Sequence, residues 1–155
     1  MEQLFIKHQQ SRKYQAYDYS GSFDYTSNKM MLGVLSKEMF DYYNDGCMDK
    51  IQAEILLNQY LNSQTSGQEL KNAHIVDDLF RHDTHQLGII EERIGSRISF
   101  INRQLQEFMA AKYLSVDIDR AKAFIQDNVS NIGLHQVILF LFEMIPASTF
   151  VGLYN

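Results

Sequence analysis

The chain is poor in the residues that break or staple a fold. Its 155 residues include one proline, Pro146, one cysteine, Cys47, and eight glycines. A single cysteine excludes an intramolecular disulfide and fits a reducing compartment. So few breakers imply long helices joined by short loops. Positive charge is also scarce: 14 Lys and Arg stand against 19 Asp and Glu, a net charge of −5. Such a chain lacks the electrostatic footprint of a general nucleic-acid binder. The longest apolar run near the C-terminus, Val137–Phe142, is interrupted by Glu143. It falls well short of the roughly 20 residues that span a bilayer. At the N-terminus Met1–Ile6 is followed at once by Lys7, His8 and Gln9, which is not the pattern of a signal peptide. A soluble, cytoplasmic protein without membrane contact is expected. Two chemical signatures are missing too. No glycine is followed by Lys and a hydroxyl residue, so there is no Gly-x-x-x-x-Gly-Lys-Ser/Thr loop to cradle phosphates. Gly-x-Ser-x-Gly, the mark of an activated serine, is absent as well.

What is present describes one domain of ordinary size. Hydrophobic residues make up 45% of the chain, enough for a core without disulfide support. Met1–Asp18 reads as a partly amphipathic helix. It runs into an aromatic passage of Tyr14, Tyr17, Tyr19, Phe23 and Tyr25 around Gly21, better read as a loop whose rings pack on the domain or on a missing neighbour than as a base-stacking surface. Thr26 or Ser27 can cap a helix over Asn28–Tyr43 whose face is Met31, Val34, Leu35, Met39 and Tyr42. Asn44-Asp45-Gly46 stops it, because Gly tolerates the left-handed cap conformation. A second helix over Asp49–Asn62 carries Ala53, Leu56, Leu57, Tyr60 and Leu61 at three- and four-residue spacing. Ser63–Gly67 is a polar connector. A third helix over Gln68–His82 buries Ala73, Val76 and Phe80, with Ile75 and Leu79 alongside.

The period then changes. Gly88–Glu92 and Arg97–Phe100 flank the turn residues Arg93–Ser96, with Gly95 available for positive φ, and this predicts a β-hairpin. Three helices followed by a hairpin outline a winged helix, a helix-turn-helix variant. The fold class is therefore mainly α: a winged helix followed by C-terminal helices over Asp117–Asn128 (Ala121, Phe124, Ile125) and Leu134–Ile145, then a short segment Ala147–Tyr154. The Leu134–Ile145 helix is apolar on nearly every side, and a helix with that pattern is covered on most of its surface.

Several residue groups invite a chemical reading and lose to a plainer one. Ile75-Val76-Asp77-Asp78 resembles the end of a Walker B strand, but it lies within a helical pattern. His82-Asp83-Thr84-His85, with His74 before it, offers imidazoles for zinc; a helix C-terminus explains the same histidines through the dipole. Glu91 and Glu92 are neighbours on a strand and point to opposite faces, so they cannot share a proton. Cys47 beside Gly46 reads as a helix-start residue, not a reactive thiol. No metal site is expected.

The most specific wording in the chain is ISFINRQLQEFMAAKYL, Ile98–Leu114. Ile101, Leu105, Phe108 and Met109 form one helical face, Ala110 and Ala111 keep the surface small for close approach, and Arg103 and Glu107 can pair on the polar side. The stretch resembles the signature closing the winged helix of NACHT-type NTPases of the STAND signalling class, roughly Phe-x-His-x-x-x-Gln-Glu-Phe/Tyr-Leu-Ala-Ala-x-x-Leu. Phe100, Gln106, Glu107, Phe108, Ala110, Ala111 and Leu114 match; Met109 replaces Leu, and Asn102 stands where the family has His. HQVILFLFEMI similarly resembles the apolar helix that follows the winged helix in these proteins.

The resemblance implies a division into 1–26 (helix and aromatic connector), 27–115 (winged helix) and 116–155 (helical extension). It implies a regulatory, non-catalytic module of a signal-transduction NTPase that controls nucleotide-dependent oligomerisation, many bacterial members acting in antiphage defence. ATP or ADP would be held by the full-length parent and not by this chain alone. Partners would be an upstream ATPase core and downstream sensor repeats, or a homo-oligomer. The family His touches the ADP β-phosphate, so Asn102, with Arg103 as a substitute, is the expected nucleotide-sensing position. Phe140, Phe142 and Met144 are the expected partner surface. Two other readings stand beside this one: a helical adaptor that binds through Leu134–Ile145, and a winged-helix DNA-binding regulator. The second is disfavoured because Gln68–His82 sets Glu69, Asp77 and Asp78 against Lys71 and Arg81.

Overall fold

Helix, strand, helix, helix and hairpin follow one another in the computed structural model, which describes residues 25–43, 45–65, 69–81, 84 and 88–150. The elements are α1 (Tyr25–Tyr42), β1 (Cys47–Asp49), α2 (Lys50–Gln64), α3 (Glu69–Arg81), β2 (Ile90–Arg93) and β3 (Arg97–Phe100). They continue as α4 (Arg103–Leu114), α5 (Ile118–Asn128), a 3₁₀ turn Ile132–Leu134, α6 (His135–Met144) and a last 3₁₀ turn Ala147–Phe150. The hairpin forms where alternation and turn residues place it. Gly95 and Ser96 both take positive φ, and Ile90 faces Phe100 across the ladder while Arg93 faces Arg97. β1 adds to the other side of β3, with Met48 opposite Ile98, so the antiparallel sheet runs β1-β3-β2. The fold is mainly helical with this small sheet: a winged helix continued by C-terminal helices.

Strand β1 is a correction to the sequence reading, which had Cys47 starting a helix. Three residues are too few to display alternation. Asp49 does the capping instead, its Oδ1 accepting from the Ile51 and Gln52 N–H groups at 2.9 and 3.3 Å. Helix α1 begins before Thr26 and Ser27, so neither caps it. Tyr42, expected on the inner face, is exposed. In α3 the buried residues are Asn72, Val76, Leu79 and Phe80, and Ala73 is exposed. The inner stripe includes a polar residue, Asn72, that a hydrophobicity pattern passes over. The Asn72 amide is satisfied there, donating to Asn62 Oδ1 at 2.7 Å and Thr65 Oγ1 at 3.2 Å. Ile101 lies outside α4 and is exposed.

The core sits between α1 and α4, the pair with the most extensive contact. Gly33 makes their approach possible: a Cβ there would lie 2.5 Å from Tyr113 Cβ and 2.9 Å from the Met109 carbonyl oxygen. Ser36 locks the same contact, its hydroxyl donating to the Gln106 carbonyl at 2.6 Å. The core is continuous from the winged helix into the extension, through Ala121, Phe124 and Ile125 of α5 and Val137, Ile138 and Leu141 of α6. Among the described residues no helix is long and apolar enough to cross a membrane. The expected helix over Met1–Asp18 and the aromatic passage through Phe23 lie outside the described residues.

Candidate functional site

The start of α4 gathers more of the sequence-predicted residues than any other described part of the chain. Asn102 has extended backbone angles, φ −143° and ψ 124°, and acts as the N-cap. Its Oδ1 accepts from the Gln104 N–H at 2.8 Å and the Leu105 N–H at 3.2 Å. The side chain expected to sense nucleotide therefore holds its own helix in place.

Arg103 is engaged on three sides. Its Nε lies 3.0 Å from Glu107 Oε1, its Nη2 donates to the Gly133 carbonyl at 2.9 Å, and its guanidinium carbon stands 5.3 Å from the Phe40 ring centroid. It thus ties α4 to α1 and to the 3₁₀ turn before α6. The expected pair with Glu107 forms, but not on a polar face: Glu107 is only 8% exposed and Gln106 only 5%. Two polar residues on the inner side are what the hydrophobic periodicity could not register.

The remaining signature residues are structural. Phe100, Phe108, Ala110, Ala111 and Leu114 are all buried. Phe108 meets Phe140 edge to face, centroids 5.6 Å apart at 89°. That contact corrects the expected partner surface. Phe140 is 7% exposed and points into the core, so it cannot present itself to another chain. Phe142 does face outward at 42%, beside Leu139 at 54%, and meets Phe150 edge to face with ring centroids 4.9 Å apart. Met144 is partly buried against the core. Helix α6 is therefore not covered all round; one side of it is open.

A small recess of about 130 Å³ adjoins Arg103, between the end of α1 (Met39, Phe40, Tyr43), Gly46, Gln106, and the Asn131–Leu134 turn. The sequence reading missed the turn's part in this. Asn131-Ile132-Gly133 carries a turn signal, since Asn131 Oδ1 accepts from the Gly133 N–H at 3.1 Å.

Elsewhere the plainer readings of Ile75–Asp78 and of Glu91 and Glu92 hold. Ile75–Asp78 lies within α3, where Asp77 and Asp78 both pair with Arg81. Glu91 and Glu92 go separate ways, the first to Arg93 and the second to Lys50. Arg97 grips Asp45 through both terminal nitrogens, at 2.8 and 3.0 Å, and donates to the Cys47 carbonyl at 2.7 Å. The hydrogen bond from Arg97 holds the Asp45 carboxyl below its ordinary range, with the Cys47 N–H helping. Burial pushes the Tyr60 hydroxyl up, aided by Tyr113. Among the described residues no three His, Cys, Asp or Glu groups come together to hold a metal ion. His82, Asp83 and His85 lie outside the described residues, and His74 is exposed.

Fold and site together define a winged-helix module whose last helix of the wing core, α4, is clamped to a helical extension. No family model, curated protein or solved structure matches the chain.

Proposed function

We propose that this chain is a regulatory, non-catalytic winged-helix and helical module of a NACHT/STAND-type NTPase, acting on nucleotide-dependent oligomerisation, in the manner of bacterial antiphage defence proteins of that class. The observation that carries the reading is the position of the signature stretch. Its matching residues, apart from Phe100 at the end of β3, lie on the central helix of a winged helix, and Arg103 at the start of that helix binds the extension through the Gly133 carbonyl. A helix so placed can pass a change at its N-terminal end to the helices beyond it. In this reading Arg103, not Asn102, carries the charge that a phosphate would meet, and Glu107 and the Gly133 carbonyl already engage it. The Asn102 oxygen is committed to the cap, and its amide carries no charge.

Calorimetry of the chain with ATP and ADP tests the non-catalytic part, and no binding in the micromolar range is expected. A micromolar dissociation constant for either nucleotide overturns it. The NTPase part predicts a Gly-x-x-x-x-Gly-Lys-Ser/Thr loop encoded upstream of Met1 or in a neighbouring frame. Its absence there removes the parent. The outward face of α6 at Leu139 and Phe142 favours a second reading, a helical adaptor. A DNA-binding regulator draws less support, because Arg81 on α3 is already paired with Asp77 and Asp78.

A further inference from the structure

We infer that the Asp45-Gly46 bond is a latent site of self-modification: Asp45 isomerises to isoaspartate when its Arg97 clamp opens, and the product releases β1 from the sheet. A glycine follows Asp or Asn only once in the chain, at this bond. Glycine has no Cβ to shield its amide nitrogen, so that nitrogen can reach the carboxyl before it. The Gly46 nitrogen attacks Asp45 Cγ. A C–N bond forms, the Cγ–O bond breaks, and the amide proton and the hydroxyl leave as water. Water then opens the five-membered imide. Opening at the former main-chain carbonyl leaves the chain running through Cγ, which is isoaspartate.

The fold keeps this vulnerable pair for conformational reasons. Gly46 sits at φ +68°, where a side chain is strained. Space is not the reason, since the nearest atom to a Cβ there is Gln106 Oε1 at 3.8 Å. Asp45 is required by the contacts that tie β1 to β3.

The same contacts silence both reactants. The leaving hydroxyl requires a protonated carboxyl, and Arg97 favours the ionised form, with Nη1 2.8 Å from Oδ2 and Nη2 3.0 Å from Oδ1. Oδ1 also accepts from the Cys47 N–H at 3.1 Å. The attacking nitrogen is occupied too, its N–H donating to the Tyr43 carbonyl at 2.9 Å. Both side chains of the clamp are exposed, so it can open locally and admit the water that the second step consumes. Isoaspartate adds one carbon to the main chain between α1 and β1 and moves the free carboxylate onto the α-carbon. Arg97 then keeps only the Cys47 carbonyl, at 2.7 Å, as its hold on β1.

The test is incubation of the full chain in ¹⁸O-water near neutral pH, followed by digestion in ordinary water and mass spectrometry. Each passage through the imide places one ¹⁸O at Asp45. Uptake in the chain unfolded by guanidinium is expected to be at least about tenfold faster than in the folded chain, as for a site gated by local opening. No uptake in the unfolded chain, or equal uptake in both, overturns the inference. Folded Arg97→Gln is expected to take up label about fivefold faster than the native chain, the size an exposed pair supports. The native chain in high salt, where the pair is screened, is expected to move the same way without any variant. Uptake unchanged by either the substitution or salt overturns the part assigned to Arg97. The isoaspartyl form, separated by chromatography, is expected to exchange amide hydrogens faster at Cys47–Asp49 while the β2–β3 ladder stays protected. Unchanged protection of β1 in that form overturns the release.

Discussion

At the scale of single residues, the least conspicuous positions decide most. Gly33 has no side chain to show in a hydrophobic pattern, yet it sets how closely α1 and α4 approach. Gly33→Ala would push a methyl group into Tyr113 and the Met109 carbonyl. Overpacking of this kind typically costs about 1–3 kcal/mol, so chemical denaturation should show a loss of that order. An unchanged midpoint would mean the helices can slide apart freely. Asp45 gives a pH-dependent test. Its folded pKa is depressed by Arg97, so its contribution to stability is present above its unfolded pKa, about 3.9, and is lost as pH falls through the lower folded value. The difference in Tm between the native chain and Asp45→Asn should therefore be largest near neutrality and shrink at acid pH. It should also shrink in high salt, since both partners are solvent-accessible. A difference that grows with acidification contradicts the pairing.

At the scale of elements, much was legible beforehand. The hairpin announced itself through Gly95 and the alternation on either side, and α5 through Ala121, Phe124 and Ile125. What stayed hidden has two causes. Strand β1 is stabilised by pairing with a strand far away in sequence, which no local pattern expresses. The inner faces of α3 and α4 include Asn72, Gln106 and Glu107, polar residues satisfied by tertiary partners or turned into a recess. The candidate site was half visible for the same reason: Arg103 and Asn102 could be named, but not the Gly133 carbonyl or Phe40 that fix Arg103. Two substitutions separate the roles within α4. Phe108→Ala removes a buried ring that spans to Phe140 and should cost about 3–5 kcal/mol of global stability. Arg103→Ala should act locally, because the side chain is more than half exposed. Hydrogen exchange should quicken at Ile132–Leu134 while the β2–β3 ladder keeps its protection. Faster exchange throughout would mean that Arg103 supports the whole core.

For the whole molecule, the open side of α6 is an apolar face within reach of a partner. Phe142→Glu should leave the far-ultraviolet circular dichroism unchanged and abolish any self-association seen by light scattering. Phe140→Glu should unfold the chain, since its ring is inside. If the native chain is a monodisperse monomer at high concentration and binds no hydrophobic dye, α6 is not a partner surface. The sheet carries a different consequence, one of time. The two strands of the hairpin are joined by a three-residue turn and can meet within microseconds. Asp45 and Arg97, which tie β1 to β3, are 52 residues apart. Closing so long a loop costs entropy that only the later packing of α2 and α3 can offset. The wing should thus form as a pair of strands and acquire its third only when the helical half of the module has collapsed onto it, so that completion of this sheet marks the end of folding and not its beginning.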